Sequence, residues 1–184
     1  MRTVAAALVE GLAEAGIRYV FGVPSGPWLP YLEAMREGPV TFVLVSHEAA
    51  AGYMATVCGR LTGRPGACYG TFGPGATNLS TGVGTALLDR VPLLAFTTEA
   101  PAAMQHRTLQ MHIDQQALFR PLTKWTTRLT PEVRQTLRRA VHIATAEVPG
   151  PVHIGLPADL GSQPAAEEAA RDAVVAWSWR APAE

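Results

Sequence analysis

Apolar positions along the chain follow two periods, one typical of amphipathic helices and one typical of buried strands. Thr3–Ala15 repeats apolar residues at helical spacing and is followed by Gly16, a residue that often ends helices. Val40–Val45 is a continuous apolar and β-branched run, which is typical of a strand buried on both faces. The two patterns recur to the end of the chain, so we expect helices and strands to alternate.

The predicted elements build a parallel sheet with helices on both faces. The other predicted helices are a short turn over Leu32–Arg36, His47–Leu61 capped by Ser46, Ala76–Leu88, and Pro131–Glu147 capped by Thr130. The other predicted strands are Tyr19–Gly22, Ala67–Phe72, Leu93–Thr97 and Val152–Leu156, with loops over Val23–Pro30 and Glu99–Arg120. The predicted fold class is therefore α/β, with three layers (α/β/α) around a central, mostly parallel sheet. We expect one domain over residues 1–161 and a C-terminal tail or linker over residues 162–184.

Composition narrows the classes of function. The 184 residues carry 15 basic and 15 acidic side chains, and this balance argues against nucleic-acid binding and against a polybasic membrane surface. The apolar runs fall far short of the roughly 20 residues that span a bilayer. Glu10 interrupts the N-terminal run Val4–Val9 before it is long enough for a secretory segment. We therefore expect a soluble, cytoplasmic protein without nucleic-acid or membrane partners.

A glycine-containing loop follows a predicted strand, at the end where parallel sheets bind ligands. Gly73–Asn78 has the sequence Gly-Pro-Gly-Ala-Thr-Asn and opens a helix, so a polar or anionic group could approach its backbone closely. It is not the dinucleotide fingerprint, because Asn78 stands where that motif has its third glycine. No serine lies in the G-x-S-x-G motif of hydrolases. The loop alone is as consistent with a structural turn as with a binding site.

Glu48 is the second candidate for chemistry. It follows the strand Val40–Val45 and precedes four small residues, Ala49–Gly52. A carboxylate at a helix start stabilises the helix dipole by roughly 0.3–1 kcal/mol, which is one explanation for it. The other explanation is a proton-handling carboxylate in a cleft lined by backbone atoms. Spacing alone leaves both explanations open.

Together these segments resemble the thiamine diphosphate enzymes of the acetolactate synthase and 2-keto acid decarboxylase type, and specifically their N-terminal pyrimidine-binding (PYR) domain. The resemblance runs from about Thr3 to Leu160. The matching segments, in the order of the family, are Tyr19–Pro24, His47-Glu48, Gly73–Asn78, Asp89–Pro92, Arg120–Lys124 and Gly150–Val152 leading to Leu156-Pro157. The resemblance implies the thiamine diphosphate-binding fold and a lyase or transferase that decarboxylates a 2-keto acid or carboligates its acyl unit.

The resemblance implies a catalytic and cofactor-binding role for Glu48. In the family, this glutamate hydrogen-bonds N1′ of the cofactor's aminopyrimidine and favours the 4′-imino tautomer, and the thiazolium acts as electron sink for decarboxylation. Such a carboxylate must be able to share a proton. The other implied cofactor-binding residues are Pro24, Ser25 and Gly26, where Ser25 replaces a glycine of the family, and Gly73, Pro74, Gly75 and Asn78.

The loop Gln105–Gln116 is expected to supply substrate-facing groups. Gln110 resembles an active-site glutamine of the synthases, one residue out of register, and His106 lies in a loose match to a His-His-Thr-Leu segment of pyruvate decarboxylases. His112 is a third candidate, and a solvated surface position is the alternative for both histidines. Arg120 matches an arginine that contacts FAD in flavin-containing synthases. We expect a salt-bridged surface arginine at that position and no FAD.

The resemblance also implies a second component. In the family, Mg²⁺ and the diphosphate are held by a Gly-Asp-Gly motif and a downstream asparagine, but this chain has no Gly-Asp-Gly and only one asparagine, Asn78. We therefore expect no metal ligands here, and a diphosphate-binding (PP) domain or subunit as partner in a homodimer or heterotetramer. The chain is then a natural subunit of a split enzyme or an excised domain, inactive when isolated. The alternative is a non-catalytic scaffold or regulatory partner that retains the PYR fold.

Overall fold

The computed structural model describes residues 2–105, 107 and 110–167. Its strands are β1 (Tyr19–Gly22), β2 (Thr41–Leu44), β3 (Gly66–Gly70), β4 (Leu93–Glu99), β5 (Trp125–Arg128) and β6 (Pro151–Pro157). Its α-helices are α1 (Val4–Glu14), α2 (Leu29–Glu37), α3 (Glu48–Thr62), α4 (Pro74–Leu88), α5 (Gln115–Phe119) and α6 (Val133–Thr145). Short 3-10 turns cover Gly26–Trp28, Ala102–Met104 and Arg120–Leu122.

The six strands form one sheet in the order β2-β1-β3-β4-β6-β5, and every pairing between them is parallel. Helices α1, α2 and α6 cover one face, over a core that includes Trp28, Tyr69 and Phe96. Helices α3, α4 and α5 cover the other face, over a core rich in small residues such as Ala51 and Ala76. The α/β class and the three-layer architecture are confirmed, and the sheet is parallel throughout.

The sheet has its topological switch point between β1 and β3. The chain passes from β1 outward to β2 and then returns to β3 on the other side of β1. In open α/β sheets, ligands bind outside the carboxyl ends of the strands at this point. Ser25, Glu48 and Gly73 follow β1, β2 and β3 respectively. The fold therefore brings the principal candidates of the sequence to one edge of the sheet.

The sequence prediction misses β5, and it assigns a single loop to a segment before β5 that contains regular structure. β5 lies at the edge of the sheet and pairs with β6 from Trp125↔Val152 to Arg128↔Gly155. β5 carries threonines and an arginine in place of a continuous apolar run. β2, at the opposite edge, has such a run, but it is not buried on both faces as predicted, since Thr41 and Leu44 are exposed. The predicted single loop over Glu99–Arg120 is also wrong, since Glu99 ends β4 and α5 lies within that range.

The predicted starts of α2, α3 and α6 need correction, and α4 also begins two residues earlier than predicted. His47, and not Ser46, is the N-cap of α3, and its Nδ1 accepts a hydrogen bond from the Ala49 amide at 3.1 Å. Glu48 is thus the first residue of the helix, where backbone amides lack intrahelical partners. α2 begins earlier than predicted, inside the predicted loop, because Pro30 lies in its first turn, where proline fits well.

α6 begins at Val133, so Thr130 does not cap it and Pro131 precedes it. The carbonyl of Pro131, outside the helix, accepts a hydrogen bond from the Ala166 amide at 3.0 Å. Residues 161–166 run past the start of α1, where Thr3 and Pro164 form an antiparallel bridge. The division of the chain after residue 161 stays a prediction.

In the described ranges, no helix is long and apolar enough to cross a membrane.

A buried polar network joins β4, β6, β5 and α5 around His153. The Nε2 atom of His153 lies 2.8 Å from Thr97 Oγ1, and Nδ1 lies 2.7 Å from Thr126 Oγ1. Thr126 donates its one hydroxyl hydrogen to Gln116 Oε1 at 2.7 Å, so it must accept from Nδ1–H. A neutral imidazole that carries its hydrogen on Nδ1 is consistent with all three of these hydrogen bonds.

We expect the free energy of unfolding to fall by about 1.4 kcal/mol per pH unit below pH ~6.5 through His153. Burial, assisted by the Arg128 charge, lowers the pKa of His153 from 6.5 to about 3. The unfolded chain therefore binds a proton that the folded chain excludes, so this stabilisation is complete above pH ~6.5 and is lost toward the folded pKa. Urea unfolding at a series of pH values measures the slope. His153→Gln should flatten it, whereas His142→Gln, at an exposed histidine of α6, should not. Equal slopes in the wild type and His153→Gln would contradict the assignment.

Candidate active site

The Glu48 carboxylate lies between the first turns of α3 and α4. The residue is 8% exposed, and Asn78 Nδ2 donates to its Oε2 at 3.0 Å. Within the described part of the chain, Glu48 pairs with no basic side chain, and its Oε1 accepts no hydrogen bond. A Cβ on Gly75 would lie 3.3 Å from Oε1, so the glycine leaves this oxygen uncovered. One carboxylate oxygen is held and the other is free to bind or share a proton.

Two glycines bring the helices together at this point. A Cβ on Gly52 of α3 would lie 2.7 Å from the Cα of Gly82, and a Cβ on Gly82 would lie 2.6 Å from the Cα of Gly52. Any larger residue at either position would therefore separate α3 from α4. Their close crossing allows Asn78 on α4 to reach Glu48 on α3.

The glycine turn before α4 packs against the loop that precedes α5. Gly73 has a φ of 36°, in the region that favours glycine, and a Cβ there would overlap the carbonyl oxygen of Met111. His112, the residue after Met111, is half-buried, and its Nδ1 is buried without a hydrogen-bond partner among the described residues. The structure thus brings the loop of His112 to the site. Gln110 is exposed, and His106 lies outside the described residues.

The segment after β1 borders open space. Pro24 and Gly26 are exposed, Ser25 is half-buried, and a Cβ on Gly26 would meet no atom within 4 Å. Ser25 Oγ lies 2.6 Å from Tyr69 Oη, which in turn lies 2.6 Å from Thr98 Oγ1. Three hydroxyl groups therefore meet across the carboxyl ends of three strands.

Tyr69 and Thr98 were not among the predicted site residues. A signal for Tyr69 exists in the sequence, because a tyrosine in a buried strand needs a partner for its hydroxyl. Burial raises the pKa of the Tyr69 hydroxyl, and the nearby Glu48 charge acts in the same direction. The ring therefore stays neutral, and it lies within electrostatic reach of the Glu48 carboxylate.

Other buried polar atoms in this part of the molecule have no protein partner. Thr71 Oγ1 lies near the Tyr69 hydroxyl, but neither this atom nor the buried Gln115 Oε1 has a partner with hydrogen-bond geometry among the described residues. Thr71 follows β3, and Gln115 Nε2 donates to the carbonyl oxygen of Thr98 at 2.5 Å. An unpaired buried polar atom costs about 1–3 kcal/mol, so such atoms favour water or a polar ligand beside them.

Two expectations concern groups away from Glu48. Arg120 is exposed as predicted, but it forms no salt bridge with any described residue. Over residues 2–105, 107 and 110–167, no three His, Cys, Asp or Glu side chains cluster so that they could hold a metal ion.

Polar side chains at the switch point of a parallel sheet, among them a buried carboxylate with one oxygen unpaired, are typical of a ligand-binding domain of the α/β class. Comparison with known families identifies which one. Residues 2–118 match the N-terminal TPP binding domain of thiamine pyrophosphate enzymes, and the chain belongs to this family.

The chain is similar to part of several longer curated proteins. It is 39% identical over 158 residues to the probable acetolactate synthase large subunit of Methanocaldococcus jannaschii, covering 85% of this chain and 27% of that protein. It is 35% identical over 156 residues to the acetolactate synthase isozyme 1 large subunit of Escherichia coli, covering 83% and 28%. It is 35% identical over 171 residues to the probable 2-ketoarginine decarboxylase of Pseudomonas aeruginosa, covering 90% and 31%. The chain spans about a quarter to a third of the length of these relatives.

Proposed function

We propose that the chain forms the pyrimidine-binding half of the active site of a thiamine diphosphate enzyme that acts on a 2-keto acid, by decarboxylation or by carboligation of the acyl unit. The observation that carries the proposal is the Glu48 carboxylate, with one oxygen held by Asn78 and the other free beside Gly75. Family membership supports the cofactor. The names of the relatives, acetolactate synthases and a 2-ketoarginine decarboxylase, support the substrate class.

The residues present fit an aminopyrimidine ring. Oε1 of Glu48 would hold the ring nitrogen, and the backbone of Gly73–Gly75 would form a wall that a flat ring can approach closely. Pro24–Gly26 would form a second wall. When bound, the cofactor supplies the electron sink for loss of carbon dioxide from a 2-keto acid. Glu48 holds and shares a proton at Oε1 while Asn78 fixes Oε2, and burial of the carboxylate limits the access of competing water.

The proposal includes a partner that this chain does not contain. We assign the diphosphate and Mg²⁺ to a PP domain or subunit with a Gly-Asp-Gly motif, in a homodimer or heterotetramer located in the cytoplasm, without FAD. The lengths of the relatives support such a partner, because about two thirds or more of each lies outside the matched region. The site would then be completed at the contact between the two components.

We expect the isolated chain to consume no pyruvate, and its complex with the PP component, thiamine diphosphate and Mg²⁺ to consume a 2-keto acid. Pyruvate is the first probe, with longer 2-keto acids screened in parallel, and calorimetry measures cofactor binding to the complex. Turnover by the chain alone would contradict the proposal. A complex that forms, but neither binds the cofactor nor turns over any 2-keto acid, would instead identify the chain as a scaffold or regulatory partner.

A further inference from the structure

Ser25, Tyr69 and Thr98 form a hydroxyl chain across the carboxyl ends of β1, β3 and β4. Each of its two contacts measures 2.6 Å between oxygens, a distance typical of a hydroxyl–hydroxyl hydrogen bond. Three hydroxyl groups carry three hydrogens, and two hydrogen bonds use two of them. One hydrogen is therefore left for a partner outside the hydroxyl chain.

Burial decides which residue keeps this hydrogen. Tyr69 is 0% exposed and Thr98 is 2% exposed, whereas Ser25 is only half-buried. A donor left without an acceptor in the interior is costly, but a donor at a partly open position can bind water or a ligand. The geometry allows either atom of each pair to donate, and burial favours the order in which Thr98 donates to Tyr69, Tyr69 donates to Ser25, and Ser25 keeps its hydrogen.

The surroundings of Tyr69 make this arrangement rigid. Its ring stacks on Trp28 with 4.0 Å between centroids and an interplanar angle of 15°. In the order that burial favours, the Ser25 oxygen accepts from this fixed phenol, and its own hydrogen points away from Tyr69. Gly26, the next residue, borders open space. Ser25 is thus a donor whose direction is set before any ligand arrives, which lowers the cost of binding.

We propose that Ser25 donates a hydrogen bond to an oxygen atom of the bound 2-keto acid, and that Tyr69 and Thr98 are the positioning residues that aim it. This inference rests on the proposed function. Around its reacting carbon, a 2-keto acid presents only acceptor oxygens, those of the ketone and the carboxylate, and these match a single preset donor. The hydroxyl chain thereby makes Ser25 a determinant of substrate binding.

The test uses the assembled holoenzyme and oxamate, an isostere of pyruvate whose amide carbonyl resists addition. Calorimetry then reads binding without turnover. Ser25→Ala should weaken oxamate binding about 10- to 100-fold, as expected for loss of a donor to a charged acceptor. Ser25→Thr keeps a hydroxyl and should stay within about threefold of the wild type. Tyr69→Phe and Thr98→Val keep the Ser25 hydroxyl but remove the hydrogen bonds that orient it. Each should weaken oxamate binding about threefold.

Comparison of kinetics with binding distinguishes the two acceptor oxygens. A contact to the carboxylate predicts that Ser25→Ala lowers kcat/KM for pyruvate by the same factor as oxamate affinity. A contact to the ketone oxygen, which gains charge when its carbonyl is attacked, predicts a larger loss in kcat/KM than in oxamate affinity. Either result supports the proposal.

Tyr31→Phe is the matched control. Tyr31 is also buried and also stacks on Trp28, with 4.8 Å between centroids, but its hydroxyl has no hydrogen-bond partner in the described structure. This variant should bind oxamate like the wild type.

Unchanged oxamate binding by Ser25→Ala, or equal losses in Tyr31→Phe and Tyr69→Phe, would overturn the inference and leave the proposed function intact. If the wild-type holoenzyme binds the cofactor but neither oxamate nor any 2-keto acid, the proposed function itself fails. Should Tyr69→Phe not fold, the two variants of the half-buried Ser25 still decide the outcome.

Discussion

Glu48→Gln should lower the kcat of the assembled enzyme by about 10²–10⁴-fold while the chain folds normally. The amide has the size of the carboxylate and keeps an oxygen that can accept from Asn78 Nδ2, as Oε2 does at 3.0 Å. What it loses is the ability to share a proton at the position of the free Oε1. Pyruvate consumption, thermal unfolding and cofactor titration of the same preparation separate these effects.

Glu99→Gln is the matched control, because Glu99 is the other buried glutamate of the described chain. It is 3% exposed, with Oε2 accepting from Arg128 Nε at 2.6 Å and Oε1 accepting from Gln116 Nε2 at 2.5 Å. An amide cannot accept both bonds, so Glu99→Gln should lower the free energy of unfolding by about 1–3 kcal/mol and change kcat per folded molecule little. Full activity of Glu48→Gln would remove Glu48 from the mechanism, and equal losses of activity in both variants would show that the effect is structural.

The strands that the sequence predicts well are those with an apolar run, whether they lie inside the sheet or, like β2, at its edge. β4 is buried along its whole length, so its composition is continuously apolar in its first half and the pattern reveals it. β5 consists of a tryptophan, two threonines and an arginine, so no hydrophobic period distinguishes it from a loop. The segment before α6 is joined by a hydrogen bond from the Ala166 amide to the Pro131 carbonyl, and these residues are far apart in the chain. Local capping rules carry no information about such a contact.

Some residues of the candidate site could be predicted from the sequence and others could not. Glu48 and Gly73–Asn78 could be predicted because each directly follows a strand and together they match a family. The hydroxyl chain could not be predicted, because it depends on strand register. Pairing of β3 with both β1 and β4 places Tyr69 opposite Gly22 and Phe96, and this brings its hydroxyl between those of Ser25 and Thr98. Residues from three strands meet there without any short-range pattern in the sequence.

The crossing of α3 and α4 predicts opposite outcomes for two glycines of one helix. Gly82→Ala should lower the free energy of unfolding by about 1–3 kcal/mol, because its Cβ would lie 2.6 Å from the Cα of Gly52, a backbone atom that cannot rotate away. Gly84→Ala should raise it by up to about 1 kcal/mol, since alanine is the better helix former. Its Cβ would meet only Leu122 Cδ2, at an ordinary 3.7 Å. Urea unfolding of the two variants measures both effects.

The same pair of variants links the helix crossing to the cofactor site. To admit a methyl group at Gly82, α4 must move away from α3, which lengthens the 3.0 Å hydrogen bond from Asn78 to Glu48. Gly82→Ala should therefore weaken thiamine diphosphate binding by the assembled enzyme even under conditions where the chain is fully folded. Gly84→Ala should bind the cofactor like the wild type. If Gly82→Ala unfolds at the same urea concentration as Gly84→Ala and binds the cofactor equally well, then close packing of the two helices does not position Glu48, and its contact with Asn78 must be maintained by the first turns of the helices alone.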